Sequence, residues 1–281
     1  MKCMSNELIN ILPPKLRGQL RREDVPQMQE IRLRTGQPLL LLTDRGIKEL
    51  EYTVGNEDIS FVINAASRYS PWNSVTAAKG FLTAPGGHRI GICGDAVLEQ
   101  GQVRGLRTVT SVCIRVAKDL PGVGRGVDLR DNLLILGPPG SGKTTLLRDL
   151  IRRISQENRG TVSVVDERGE IFPQIGGKSC FESGKNVDIL TGCPKPQGIE
   201  MVLRSMGPEW IAVDEITAAA DCAALTQAGW CGVKLIATAH ASGVNDLLGR
   251  DIYRPLVGTK LFRHAIVLRR DKSMGIERMV L

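Results

Sequence analysis

Hydrophobic and polar positions follow two different rhythms along the chain. In residues 30–43 the run Glu-Ile-Arg-Leu-Arg alternates, Thr35-Gly36-Gln37-Pro38 turns, and Leu39 to Leu42 is apolar, which predicts a hairpin. Residues 57–69 place Ile59, Val62, Ile63 and Ala66 at helical spacing behind Asn56, the expected N-cap. A second hairpin is predicted from Phe81-Leu82-Thr83, the turn Ala84-Pro85-Gly86-Gly87 and the alternation over 89–98. The β-branched run 109–116 predicts a further strand. Residues 1–117 thus read as a small α+β domain, and 118–131, with three glycines and a proline and no period, as the linker through which domains would move.

After residue 131 the rhythm changes. Short apolar runs at 132–136, 161–165, 210–213 and 234–238 alternate with helical stretches at 144–157, 198–206 and 218–229. That repetition predicts right-handed βαβ units, a mostly parallel sheet covered by helices, over a domain of residues 132–281. Two domains also suit 281 residues at about 150 per domain. Apolar residues at 42% and charged residues at 24% exclude disordered, collagen-like and coiled-coil classes. Aromatics at 4% weaken any reading built on base-stacking platforms.

The net charge of +7 is uneven. Residues 1–130 hold eighteen Lys/Arg against thirteen acids, so most of the surplus is N-terminal and permits an anionic partner. Seven cysteines form no CxxC pair and no zinc spacing, and with apolar neighbours, as in Ile92-Cys93 and Val112-Cys113, read as reduced core thiols. No apolar stretch approaches the roughly 20 residues that span a bilayer. Glu7 and Pro13-Pro14 interrupt what a signal peptide would need, so a cytoplasmic protein, peripheral at any membrane, is expected.

The candidate chemistry lies in the second domain. Leu133-Leu134-Ile135-Leu136 runs into Gly137, Pro138, Pro139, Gly140, Ser141, Gly142, Lys143 and Thr144, with Thr145 beginning the helix. This is GxxxxGK[ST] with the strand before it and the helix after it that a P-loop requires. Glycines let backbone N–H groups converge on phosphate oxygens, and the helix N-terminus adds partial positive charge. Lys143 is expected to neutralise β- and γ-phosphates, and Thr144 to hold Mg²⁺. Downstream, Trp210-Ile211-Ala212-Val213 delivers Asp214 and Glu215 at a strand's carboxyl end, where open α/β sheets bind ligands. Asp214 is expected in the Mg²⁺ shell and Glu215 as the base for water, which favours hydrolysis over mere binding. Two further strands end in polar residues, Asp166-Glu167-Arg168 and Thr238-Ala239-His240. Either Asp166 or Glu167 could face the nucleotide, and His240 could sense the γ-phosphate.

The order P-loop, acidic strand end at Asp166-Glu167, arginine-bearing helix at Leu203-Arg204-Ser205-Met206, Walker B ending in Glu215, then Thr238-Ala239-His240 is similar to the secretion ATPases of type II and type IV systems. Those carry an Asp box, a Walker B acid and a His box after an N-terminal domain. Closer still, Gly80-Phe81-Leu82-Thr83, Gly86-Gly87-His88-Arg89-Ile90-Gly91 and the stretch 162–171 resemble the stage III sporulation AA family, mother-cell ATPases of endospore formers. The resemblance implies a RecA-like core, ATP and Mg²⁺ as ligands, and a ring, commonly a hexamer. It also implies membrane proteins of a sporulation channel as partners, and a place on the mother-cell face of the outer forespore membrane. Lys143 and Thr144 would be nucleotide ligands, Glu215 the Walker B glutamate and His240 the His-box residue. This chain departs from the secretion enzymes in reading Asp214-Glu215 for Gly-Glu and Asp166-Glu167-Arg168 for Glu-Asp-Pro. In ring ATPases a neighbour's arginine often completes the site, and Arg104, Arg107, Arg115 and Arg204 are the candidates. The competing class is a nucleic-acid motor on the same core. The low aromatic content and the lack of a clustered Lys/Arg run argue against it. An Arg-rich lid, as in small-molecule kinases, and an LSGGQ-like transporter signature are both absent from the sequence.

Overall fold

Alternation sends Ile31 and Leu33 to one face of strand β1 (Met28–Arg34) and Glu30, Arg32 and Arg34 to the other. In the computed structural model, which describes residues 7–20, 27–43, 45–67, 80–175 and 177–279, this strand is central to a six-stranded antiparallel sheet. Its partners are β2 (Pro38–Thr43), β3 (Gly46–Thr53), β4 (Phe81–Ala84), β5 (His88–Glu99) and β6 (Gln102–Arg115), in the order β3-β2-β1-β6-β5-β4. One face is closed by helix α1 (Asn56–Ser67) and the N-terminal Leu8, Ile11, Leu12 and Leu16, which share a core with Ile31, Leu39, Leu41, Ile90 and Ile114. Burying one face and wetting the other is what an antiparallel sheet of alternating pattern does.

The expected hairpins correspond to β1–β2 and β4–β5. The strand expected at 109–116 is the second half of a 14-residue β6, whose first half pairs with β5 as an exposed ribbon. Strand β3 escapes the sequence because it is an edge strand with no buried position. Asn56 is not the cap of α1. Gly55 O accepts the N–H groups of Asp58 and Ile59, and the Asp58 carboxylate accepts the Gly55 N–H at 2.9 Å, while Asn56 Oδ1 accepts from Thr35. An acid three residues into the turn has taken the role expected of the first polar residue. The end of the expected helix, at 68–69, lies outside the described residues.

The second sheet has seven strands in the order β11-β8-β12-β13-β7-β14-β15. These are β7 (Leu133–Leu136), β8 (Val162–Asp166), β11 (Val187–Thr191), β12 (Trp210–Val213), β13 (Lys234–Ala239), β14 (His264–Leu268) and β15 (Met274–Arg278). All pairs are parallel except β14–β15. A small ladder of β9 (Gln174–Ile175) and β10 (Lys178–Ser179) stands apart. Every residue of β7, β8 and β12 is buried, which accounts for their apolar sequences, interrupted only by Ser163 and the terminal Asp166 of β8. Helix α2 (Lys143–Gln156) packs across β7, β8 and β13. Helices α3 (Lys195–Ser205) and α4 (Ala219–Trp230) contribute Ile199, Val202, Cys222 and Leu225 to the main core with Leu134, Val165, Ile211 and Leu235.

The chain divides into two compact units, residues 1–118 with 175–180 and residues 119–174 with 181–281. Of the stretch 118–131, only Lys118 falls in the first unit. From Asp119 the backbone is tied to α2, with the Gly122 and Gly124 N–H groups both 2.8 Å from the Asp149 carboxylate. A Cβ at Gly124 would lie 2.6 Å from Leu150 Cδ2, so the close approach needs glycine there. The described cysteines are all free thiols, but of them only Cys222 is a core residue. Cys93 and Cys231 are exposed, because an apolar neighbour in a strand points to the opposite face, as Ile92 does beside Cys93.

Candidate functional site

Parallel order puts the carboxyl ends of β8, β12, β13 and β7 side by side, and every strand-end residue singled out above meets at that edge. After β7 the chain must reverse tightly. A Cβ on Gly137 would stand 2.5 Å from Ser141 Oγ and 2.8 Å from the Leu268 carbonyl, and Gly142 takes φ of 100° before α2. Pro139 and Gly140 form the exposed tip, and Thr145 is half-buried on the first turn. The Ser141 hydroxyl is buried with no hydrogen-bond partner among the described residues. Gly142, as N-cap, offers α2 no side-chain oxygen, so the helix start keeps its donors for something else.

Lys143 folds back into the loop. Its Nζ donates to Gly137 O at 2.9 Å, Pro138 O at 3.1 Å and His240 Nδ1 at 3.0 Å. Burial lowers the lysine's pKa, while the charges of Asp214 and Glu215 oppose that shift. An ammonium has no acceptor, so Nδ1 of His240 is the acceptor and Nε2 carries the proton that it donates to Glu215 Oε1.

Asp214 and Glu215, directly after β12, take different partners. Asp214 is clasped by two hydroxyls, Thr144 Oγ1 donating to Oδ2 at 2.7 Å and Thr238 Oγ1 donating to Oδ1 at 2.5 Å. Glu215 turns outward through a φ of 52°, a left-handed conformation that costs a non-glycine residue about 1 kcal/mol. Thr238 holds that turn, its Oγ1 accepting the Glu215 N–H at 2.8 Å and its carbonyl the Ile216 N–H at 2.9 Å. Besides His240, Glu215 pairs with Arg168 at 2.5 Å. Burial raises the Glu215 pKa, but the His240 hydrogen bond and the Arg168 charge outweigh it and hold the carboxyl below its usual range.

The two acids at the carboxyl end of β8, Asp166 within it and Glu167 after it, part company. Asp166 is buried and turned under its own loop, accepting the N–H groups of Glu170, Ile171 and Phe172 at 2.8, 2.9 and 2.9 Å. Burial pushes its pKa up to about 6, with those donors opposing. Glu167 borders an open crevice and accepts from Lys195 Nζ at 2.6 Å. Arg168, Asp214 and Glu215 line the same crevice. Replacing Asp166 with alanine strands three backbone donors, and a loss of about 2 kcal/mol is expected in urea denaturation of the variant against wild type. A loss near zero would mean that water serves those donors equally well.

Arg168 and Lys195 were not singled out from the sequence. Their partners are 47 and 28 residues away, and no local pattern marks them. Arg148 and Arg152 on α2 are further buried cations without a local signature. Among the four arginines expected to act on a neighbour, Arg104 pairs with Glu99 at 2.8 Å, Arg115 with Glu30 at 3.5 Å and Arg204 with Glu200 at 2.6 Å. All four, Arg107 included, are exposed.

Mg²⁺ fits these residues. No group of three metal-ligating side chains occurs among the described residues, and none is required. Mg²⁺ commonly takes one or two protein oxygens with phosphate and water, and Thr144 and Asp214 present adjoining oxygens beside the P-loop.

The sequence model of the family described as "Sporulation stage III, protein AA" matches residues 3–280. The chain is 35% identical over 286 aligned positions to the stage III sporulation protein AA of Bacillus subtilis (strain 168), covering 96% of this chain and 92% of that one. Among solved structures it is similar to the ATPase DotB of Legionella pneumophila (TM-score 0.54, 16% identity, covering 95% of this chain and 80% of that one). It is also similar to the pilus retraction motor PilT with bound ADP (TM-score 0.59, 14% identity, 87% and 75%). At such identities the structures speak for the fold, a RecA-like ATPase core behind an N-terminal domain. The chain belongs to the sporulation stage III protein AA family and has the fold of the secretion ATPases.

Proposed function

We propose that the protein binds ATP with Mg²⁺ at the carboxyl edge of its parallel sheet and hydrolyses it to ADP and phosphate. One observation carries this reading. Lys143, His240, Glu215, Thr238, Asp214 and Thr144 form one continuous hydrogen-bonded chain from the P-loop to the ends of β12 and β13. Charge neutralisation, metal ligation and proton acceptance therefore lie on adjoining side chains.

Gly137 to Thr145 would cradle the phosphates through backbone N–H groups and the buried Ser141 hydroxyl, and Lys143 would exchange its carbonyl partners for phosphate oxygens. Thr144 and Asp214 would hold Mg²⁺, which when bound neutralises phosphate charge. A water oxygen attacks the γ-phosphorus and its proton passes to the Glu215 carboxylate. The bond from the γ-phosphorus to the bridging oxygen breaks, and its electron pair leaves on ADP. His240, donating from Nε2, orients Glu215. Asp166 acts through the loop it holds, and Glu167, paired with Lys195, borders the crevice as a second carboxylate beside the reacting phosphate.

Family membership supports a wider setting, as a ring, by analogy a hexamer, acting in the mother-cell cytoplasm with membrane proteins of a sporulation channel. No helix among the described residues is long and apolar enough to cross a membrane, so such partners would supply the anchorage. Calorimetric titration with Mg·ATP tests the binding step. Wild type is expected to bind, and Lys143→Ala to lose at least about tenfold in affinity, since a hydrogen bond to a charged group is worth about 1.5–3 kcal/mol. Equal affinities would remove the P-loop from nucleotide binding.

A further inference from the structure

The loop after β8 has a fixed base and a loose rim. At the base, Asp166 holds three backbone N–H groups, and Arg148 donates to Ile171 O at 2.5 Å and Glu170 O at 3.0 Å. At the rim, Gly169 turns the chain at φ 65°, and the half-exposed Arg168 reaches across to Glu215 Oε2. Because the base is already anchored, folding does not need this contact, and an ion pair so exposed is worth about 1 kcal/mol or less. Yet it falls on the one carboxylate whose availability decides hydrolysis. Glu215 has Oε1 on His240 and Oε2 on Arg168, so each oxygen already accepts from a side-chain donor, and Arg168 is the cation that neutralises it. The Glu215 backbone is pinned by Thr238, and His240 is itself held by Lys143. The partner with room to leave is Arg168, which lines the crevice.

The geometry points to Arg168 as a nucleotide-gated latch, which holds Glu215 while the site lacks a triphosphate and moves to the γ-phosphate when ATP enters. This rests on the ATPase reading above. A γ-phosphate offers a guanidinium more negative charge and more acceptor oxygens than a carboxylate shared with an imidazole, and bidentate arginine–phosphate contacts are among the strong hydrogen bonds. ADP has no such group and leaves the latch closed. Glu215 is thereby freed only when a phosphoryl group is present to be attacked, and wasted opening after hydrolysis is avoided.

The test is a double-substitution cycle read by nucleotide affinity. Wild type, Arg168→Ala, Glu215→Gln and the double variant are titrated with ADP and with the slowly hydrolysed analogue ATPγS, each with Mg²⁺. Arg168→Ala is expected to weaken ATPγS about tenfold and to leave ADP within about twofold, the size of one charge-assisted contact. Glu215→Gln releases the guanidinium and is expected to tighten ATPγS but not ADP, and this gain disappears in the double variant. Arg168→Lys is expected to restore part of the discrimination, which a merely structural contact would not do. If Arg168→Ala does not fold, Arg168→Lys and Glu215→Gln carry the same comparison. Equal effects on both nucleotides, or additive effects of the two substitutions, overturn the latch and leave the ATPase reading standing. A wild-type protein that binds neither nucleotide overturns both.

Discussion

Glu215→Gln is expected to lower ATP turnover by about a hundredfold or more while ATP stays bound at least as tightly as in wild type. Glutamine keeps the side chain's length and its oxygen, so the hydrogen bond from His240 Nε2 survives. What goes is the capacity to take a proton, and positioned general-base catalysis contributes about 10²–10⁴ in rate. The left-handed turn at Glu215 is tied to Thr238 through the backbone, so glutamine inherits the same position. Phosphate release under single-turnover conditions, measured beside the fraction of ATP retained on a filter, separates chemistry from binding. The outcome distinguishes this residue from Lys143, whose replacement acts on affinity. Full turnover by the glutamine protein would remove Glu215 from the mechanism and return its carboxylate to the rank of a partner for Arg168.

The parts of the site legible in the sequence share one physical origin. Strands β7, β8, β12 and β13 are almost wholly buried on both faces, so each is a mostly apolar run, and the polar residues at its carboxyl end stand out. Gly137 to Thr144, Asp214, Glu215, Asp166, Glu167 and His240 are all such strand-end residues. Parallel order then gathers them without any further information. What the sequence concealed is pairwise and long-range. Arg168 meets Glu215, Lys195 meets Glu167 and Arg152 meets Asp119 only after the chain has folded, and nothing within a few residues of any of them announces it. The same limit applies to whole elements. Strand β3 carries Lys48, Glu49 and Glu51 on an edge where packing asks little of it, and β11 is an edge strand with no fully buried position. The stretch 119–131 lacks any period because its backbone is fixed by side chains of α2 rather than by its own ladder.

Arg152 shows how much such concealed pairing is worth. Its guanidinium, 3% exposed, donates from Nη2 to both oxygens of Asp119 at 2.8 and 2.7 Å and from Nη1 to Asp149 at 3.0 Å. Nε donates to the Glu182 carbonyl at 3.0 Å. Replacing it with methionine keeps much of the volume but removes the cation the two carboxylates share, leaving Asp119 the 3.9 Å contact of Arg148 and Asp149 the backbone donors of Gly122 and Gly124. Removing one member of a buried pair costs about 3–5 kcal/mol, because the remaining charge keeps its desolvation penalty and loses its compensation. Arg152→Met is expected to lose that amount in urea denaturation. Distance alone does not set the figure. Arg204 and Glu200 approach to 2.6 Å, but both are largely in water, and Arg204→Ala in the same assay is expected to cost about 0.5 kcal/mol or less. The loss at Arg152 would be felt at the nucleotide as well. The network fixes the same helix whose first turn presents Lys143 and Thr144, and Asp149 within it clamps Gly122 and Gly124. A loss below about 1 kcal/mol would mean that water reaches Asp119 and Asp149 once the arginine is gone, and that α2 is held by its apolar face alone.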